Sequence, residues 1–197
     1  MLLYLLRHGE TDYLKAKISQ GWSDSRLTDF GKTQVRASAI WLARQEIQQI
    51  YASDLLRARE SVDEVVQCCD APVEFKPQLR ELGHGIFEGT PTGTLKKQVH
   101  GDSFDWVFYK PKNGESVYEF GARTRRAFYQ FQTHDKVLWV THGGVIAQVV
   151  SMIEGKRSDQ FLSHIPSEGS VTLIDTEKSK IVLRNQLPVC ERVIDYM

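Results

Sequence analysis

The chain is poor in cysteine and has no charge of one sign to spare. It has three cysteines in 197 residues, Cys68, Cys69 and Cys190. An odd number without CxxC spacing argues against a disulfide framework and a zinc site, and points to reduced thiols. Lysine plus arginine equals aspartate plus glutamate, 25 each. No net field therefore recruits nucleic acid or an anionic membrane, and any anion site must be built locally. Long apolar runs are missing too. Leu2 to Leu6 is too short for a signal-peptide core or a membrane span and meets Arg7 at once, so a cytoplasmic location is expected. Internal repeats and low-complexity tracts are also absent. The length fits one domain over residues 1–197, with a loop or lid insertion at about 83–114.

What is present is a set of short apolar segments that end abruptly in ionisable residues. Leu2-Leu3-Tyr4-Leu5-Leu6 lacks polar alternation, as a strand buried on both faces would, and Arg7-His8-Gly9-Glu10 follows without a spacer. Lys136 to Thr141 repeats the pattern and runs into His142-Gly143-Gly144. Between and beyond these, Ile47 to Ser53 reads as a strand, Leu55 to about Cys69 as a helix, and Val73 to Phe75 as a short strand. A helix follows a Thr28 N-cap, and another runs from Ser116, with Glu119 in capping-box position, to Phe131. A short helix is expected near Thr94 to Val99, and a helix over Val145 to Ile153. Ser170 to Asp175 and Ile181 to Gln186 form a terminal strand pair. Asp12 to Arg26 reads as loop.

Alternating strands and helices imply an α/β three-layer sandwich, a mostly parallel sheet flanked by helices, with the strands before Arg7 and His142 central. In such sheets ligands bind beyond the carboxyl ends of the strands. Arg7, His8, Arg57 and His142 would then share one rim, Arg57 from the first turn of a helix. Guanidinium forks suit a phosphate dianion. One imidazole must be neutral to attack phosphorus, while the other can stay protonated and stabilise charge. The departing alkoxide needs an acid. Glu81, following a strand beside the long loop, is the candidate, ahead of Glu10 and Glu88; Asp54 could cap a helix. The aromatics Phe104, Trp106, Phe108 and Tyr109 could stack on a planar base or simply form loop core. His84, His100, His134 and His164 show no metal-ligand grouping and read as ordinary surface or loop residues.

These residues resemble the RHGE/T signature of the histidine phosphatase superfamily, the phosphoglycerate-mutase-like fold. The likeness runs through Arg7-His8-Gly9-Glu10-Thr11, Gln20-Gly21-Trp22, Leu27-Thr28, Gly31, Ser53-Asp54-Leu55 with Arg57-Ala58, Leu79 with Glu81, Phe87-Glu88-Gly89, Gly114-Glu115-Ser116 and Thr141-His142-Gly143. It implies His8 as phosphorylated nucleophile, Arg7, Arg57 and His142 as phosphate pocket, and Glu81 as proton donor. Gly143 (through its N–H), Gln20 and Thr11 would be further substrate contacts. Leu14 stands where the family often has a phosphate-binding Asn. The expected activity is metal-independent, cofactor-free hydrolysis of a small phosphate ester by a monomer or homodimer, with neither nucleic acid nor membrane as partner. In length and in Trp106 to Phe120 the chain resembles the alpha-ribazole-5'-phosphate phosphatases of cobalamin biosynthesis. Broad-specificity and sugar-bisphosphate phosphatases, the cofactor-dependent mutases and a non-catalytic phosphate-binding protein are the alternatives.

Overall fold

The computed structural model describes residues 1–99 and 106–187. Phe104, His100 and Cys190 lie outside the described residues. Strand β1 (Leu2–Arg7) is followed by α1 (Asp12–Lys15), α2 (Asp29–Leu42), β2 (Gln49–Ala52), α3 (Leu56–Val65) and β3 (Val73–Phe75). Then come α4 (Thr94–Val99), α5 (Val117–Gln130), β4 (Lys136–Thr141), α6 (Gly143–Ile153), β5 (Val171–Asp175) and β6 (Lys180–Gln186).

The sheet order is β3-β2-β4-β1-β5-β6. β1, β2, β3 and β4 are parallel, and the β5–β6 pair adds an antiparallel edge. The most apolar strands, β1 and β4, are the central ones, because only a strand covered on both faces can dispense with polar alternation. Leu3, Leu5, Val137 and Trp139 pack toward Phe120, Ala127, Val145 and Val149 of α5 and α6. Their alternates Tyr4, Leu6, Leu138 and Val140 pack toward Val35, Ala39, Val62 and Val65 of α2 and α3. The period-two pleat thus yields three layers.

Register brings the rim together. Arg7 pairs with Thr141, and His8 N–H donates to Thr141 O at 3.0 Å, so the residues that follow both strands emerge side by side. Beyond β1 the chain passes directly against the start of α2. A Cβ on Gly9 would lie 2.1 Å from Gly31 O, and one on Gly31 2.1 Å from Glu10 O, so neither glycine can carry a side chain here.

Several expectations need correction. One turn of helix, α1, occupies the stretch read as loop, because Thr11 Oγ1 caps it by accepting from Leu14 N–H. Helix α3 stops at Val65 and α6 starts at Gly143. Asp54 caps nothing: its carboxylate accepts from Arg80 Nε and Nη2 at 2.7 and 2.6 Å. Glu81 follows β3 as expected, with a 3-10 turn, Pro77–Leu79, inserted between them. The capping box at Ser116 and Glu119 and the short helix Thr94–Val99 form as expected.

Candidate active site

Two imidazoles meet at the carboxyl ends of β1 and β4. The ring centroids of His8 and His142 are 5.2 Å apart and their planes are inclined at 60°. Both rings are almost wholly buried. His8 Nδ1 lies 2.8 Å from Gly9 O. A carbonyl oxygen can only accept, so Nδ1 carries the hydrogen and the lone pair of the neutral ring sits on Nε2. Burial holds the His8 pKa well below the usual 6.5, and the Arg57 and Arg7 charges push it the same way. His142 is lowered well below 6.5 for the same leading reason, then by Arg57 and by His8. Burial and the neighbouring guanidinium charges thus favour the neutral form of both rings.

The guanidinium groups are anchored rather than free forks. Arg7 Nη1 donates to Pro166 O, and Nη2 pairs with Glu168 at 2.8 Å. Arg57 Nη1 donates to Ser23 O at 3.1 Å and Nη2 to Gly21 O at 2.7 Å. In each case Nε is buried without a partner, as is His142 Nδ1. Burial pushes the Arg57 pKa down to about 10, which still leaves it cationic at neutral pH. His142 Nε2 lies 2.7 Å from Ser53 Oγ, a contact the sequence reading missed. Its signal was available: Ser53 directly follows β2, at the same rim.

Glu81 stands across from these groups. Its Oε2 accepts from Gly144 N–H at 3.0 Å and its Oε1 from Leu82 N–H at 2.9 Å. Gly144 belongs to the first turn of α6, whose amino end carries a partial positive charge. Gly143 keeps the approach open, since a Cβ there would lie 3.2 Å from Arg7 Nε and 2.9 Å from Ile165 Cγ2.

Arg7, Gln20, Glu81, Gly143 and Gly144 line one cleft of about 630 Å³. Its other walls are largely apolar, from Leu14, Leu82, Trp106, Val117, Phe161 and Leu162, with Tyr109 and Lys96 also lining it. Trp106 stacks on Phe161 at 6.3 Å, whereas Phe108 stays exposed against Tyr118. Thr11 does not line the cleft; its hydroxyl donates to Gln20 Oε1 at 2.8 Å, which fixes Gln20 instead. Glu10 accepts from Thr28 Oγ1, and Glu88 accepts from the N–H groups of Trp22, His84 and Gly85, so neither is placed as a free acid. His84 is no ordinary loop residue: it lines the cleft with its Nδ1 2.6 Å from Ser19 Oγ. Among the described residues no group of three or more His, Cys, Asp or Glu could hold a metal, and no helix is long and apolar enough to cross a membrane.

Of the residues expected to handle phosphate, Arg7, Gln20, Glu81 and Gly143 line this cleft, whereas His8, Arg57 and His142 are buried outside its lining; the unpartnered Arg7 Nε, Arg57 Nε and His142 Nδ1 are donors of the kind a tetrahedral anion takes. The chain belongs to the histidine phosphatase superfamily (branch 1), whose sequence profile matches residues 3–186. It is 33% identical over 164 residues to a protein of Serratia proteamaculans named Probable phosphoglycerate mutase GpmB, covering 78% of this chain and 74% of that one. In structure it is similar to the alpha-ribazole phosphatase of Shigella flexneri, with TM-score 0.84, 24% identity and coverage of 96% and 98% of the two chains. It is also similar to a mycobacterial glucosyl-3-phosphoglycerate phosphatase, with TM-score 0.76, 26% identity and coverage of 88% and 92%.

Proposed function

We propose that the chain is a metal-independent phosphomonoester hydrolase that works through a phosphohistidine on His8. The observation that carries this reading is the set of buried, unpartnered atoms Arg7 Nε, Arg57 Nε and His142 Nδ1 beside an imidazole whose Nδ1 is fixed on Gly9 O. Buried polar atoms are left unpaired where a ligand completes them. Leu55 N–H donates to Ser53 Oγ at 3.3 Å. With the serine hydroxyl in turn donating to His142 Nε2, a neutral His142 still offers Nδ1–H to a phosphoryl oxygen.

In the first step the His8 Nε2 lone pair forms the N–P bond while the bond from phosphorus to the ester oxygen breaks. Protonated Glu81 gives its proton to the departing alkoxide. In the second step water attacks phosphorus, Glu81 takes the water proton, and the N–P electron pair returns to His8. The guanidinium groups and His142 carry the charge of the equatorial oxygens throughout. Splitting the reaction matters because unaided monoester hydrolysis demands accelerations approaching ~10²¹.

The specific substrate favoured is alpha-ribazole-5'-phosphate, which would place the chain in cobalamin biosynthesis in the cytoplasm. Apolar cleft walls with Trp106, Tyr109 and Phe161 suit a planar base. Among the described residues the lining offers one lysine or arginine beyond Arg7, namely Lys96, which is poor provision for a second phosphate or carboxylate. The relatives named phosphoglycerate mutase favour the competing reading. Phosphate release should be fastest from alpha-ribazole-5'-phosphate in a panel with phosphoglycerates and sugar bisphosphates, and should persist in chelator. His8→Ala should form no acid-labile, base-stable phosphoenzyme. Faster interconversion of phosphoglycerates than hydrolysis of any ester would overturn the hydrolase reading, and labelling of the His8→Ala protein would move the nucleophile.

A further inference from the structure

Glu81 lies in a segment with no regular structure: residues 80–84 are neither helix nor strand. A side chain that must deliver a proton to one oxygen cannot be carried on loose backbone, because errors near an ångström cost large factors in rate. The backbone around Glu81 is clamped from helix α5. Arg123 Nη1 donates to Gln78 O at 2.7 Å and to Arg80 O at 2.9 Å, and Nη2 donates to Glu81 O at 3.1 Å. The same guanidinium is oriented by Glu115, which accepts from Nε at 2.8 Å and from Nη2 at 2.7 Å. Glu115 also grips the far side of the segment: its Oε2 accepts from Gly83 N–H at 3.3 Å and its own N–H donates to Gly83 O at 2.9 Å. Trp22 Nε1 completes the clamp by donating to Glu81 O at 2.6 Å.

We infer that Arg123, held by Glu115, is a positioning residue for proton donation by Glu81. Arg123 does not line the cleft and so acts through the backbone rather than on substrate. An ion pair kept only for stability has no need to gather the carbonyls of residues 78, 80 and 81. The two side chains are also largely withdrawn from solvent, 14% and 13% exposed, unlike the weak pairs of a protein surface. Lysine cannot substitute. Its ammonium is a compact charge without the planar fork that reaches a carboxylate and three carbonyls at once.

The inference rests on Glu81 being the proton donor, and the test separates the two claims. kcat/KM is measured for ethyl phosphate, whose alkoxide must be protonated, and for p-nitrophenyl phosphate, whose leaving group needs little help. The proteins compared are the parent, Arg123→Lys, the double variant Arg123→Met with Glu115→Gln, and Glu81→Gln. The ratio of the two kcat/KM values does not depend on how much of a preparation is folded, so a destabilised variant still reports. Arg123→Lys is expected to lose roughly 10- to 100-fold on ethyl phosphate, with little change on the aryl ester. The double variant should show the same selective loss. If both Arg123 variants leave the ratio at the parent value while Glu81→Gln lowers it, the positioning role is overturned. If Glu81→Gln itself leaves the ratio unchanged, the donor assignment falls, and the role of Arg123 with it.

Discussion

Gly144→Ala should separate the function of the acid from the stability of the fold. A Cβ at this position would lie 2.1 Å from Glu81 Oε1 and 3.2 Å from Phe120 Cζ. Ordinary contact begins at 3.4 Å, so the carboxyl oxygen has to retreat by the difference, 1.3 Å. The helix backbone will not be what gives way. Gly144 is the second residue of α6, whose backbone is buried along most of its length, whereas Glu81 is a side chain with rotatable bonds. The carboxyl therefore leaves its place and gives up its 3.0 Å hydrogen bond from Gly144 N–H. Stability should change little: alanine gains at most about 1 kcal/mol over glycine at a helical position. That gain offsets much of the ~0.5–1.5 kcal/mol that a typical hydrogen bond is worth. Catalysis should suffer more, since displacement by about 1 Å costs on the order of 10²-fold. The assay is kcat/KM for an alkyl phosphate against an activated aryl phosphate, with thermal unfolding measured alongside. A loss of about 100-fold on the alkyl ester, with the aryl ester and the Tm nearly unchanged, is expected. An alkyl ester turned over at the parent rate would refute the placement of the acid.

Ser53→Ala removes the partner of His142 Nε2 and should weaken competitive inhibition by inorganic phosphate roughly tenfold, from a buried hydrogen bond worth ~1–2 kcal/mol. It should leave the leaving-group dependence unchanged, and a selective effect on alkyl esters would show that Ser53 acts on the acid instead. Burial depresses the pKa of both His8 and His142, so below 6.5 the unfolded chain binds protons that the folded one does not. Their contribution to stability is complete above that pH and is lost as pH falls toward the depressed folded values. Urea midpoints should thus drop between about pH 7 and pH 5, and drop less in a His8→Gln, His142→Gln double variant. Equal slopes would show that the two rings are not held neutral by the fold.

The sheet and its rim were readable because they depend on patterns local to the chain. Two uninterrupted apolar runs, each ending in an arginine or histidine, could only be central strands, and Arg7 pairing with Thr141 follows from their parallel packing. The capping box at Ser116 was readable for the same reason: its partner lies three residues away. What stayed hidden depends on contacts across long separations. Glu81 could be picked out as the candidate acid, but the Arg123 fork that holds its backbone is 42 residues away and grips carbonyl oxygens, which every residue possesses. Ser53 and His142 are 89 residues apart. His84 was read as ordinary because a lone histidine in a loop carries no periodicity, and only the folded loop sets it on the cleft wall.

The pocket's preparation has a physical cost that explains its construction. A guanidinium free to turn would satisfy itself with the nearest carbonyls and would have to be pulled off them by each incoming ester. Here both Nη ends of Arg57 are already spent on Gly21 and Ser23, and those of Arg7 on Pro166 and Glu168, so the remaining Nε–H has a fixed direction. Each buried nitrogen left without a protein partner costs about 1–3 kcal/mol. On the proposed function a bound anion would recover that cost, and the reorganisation that free side chains would require is met during folding. The sheet supplies the rigidity for this. Arg7 ends one central strand, His142 follows the other, and the His8 backbone is tied to Thr141, so one hydrogen-bonded frame holds all three groups.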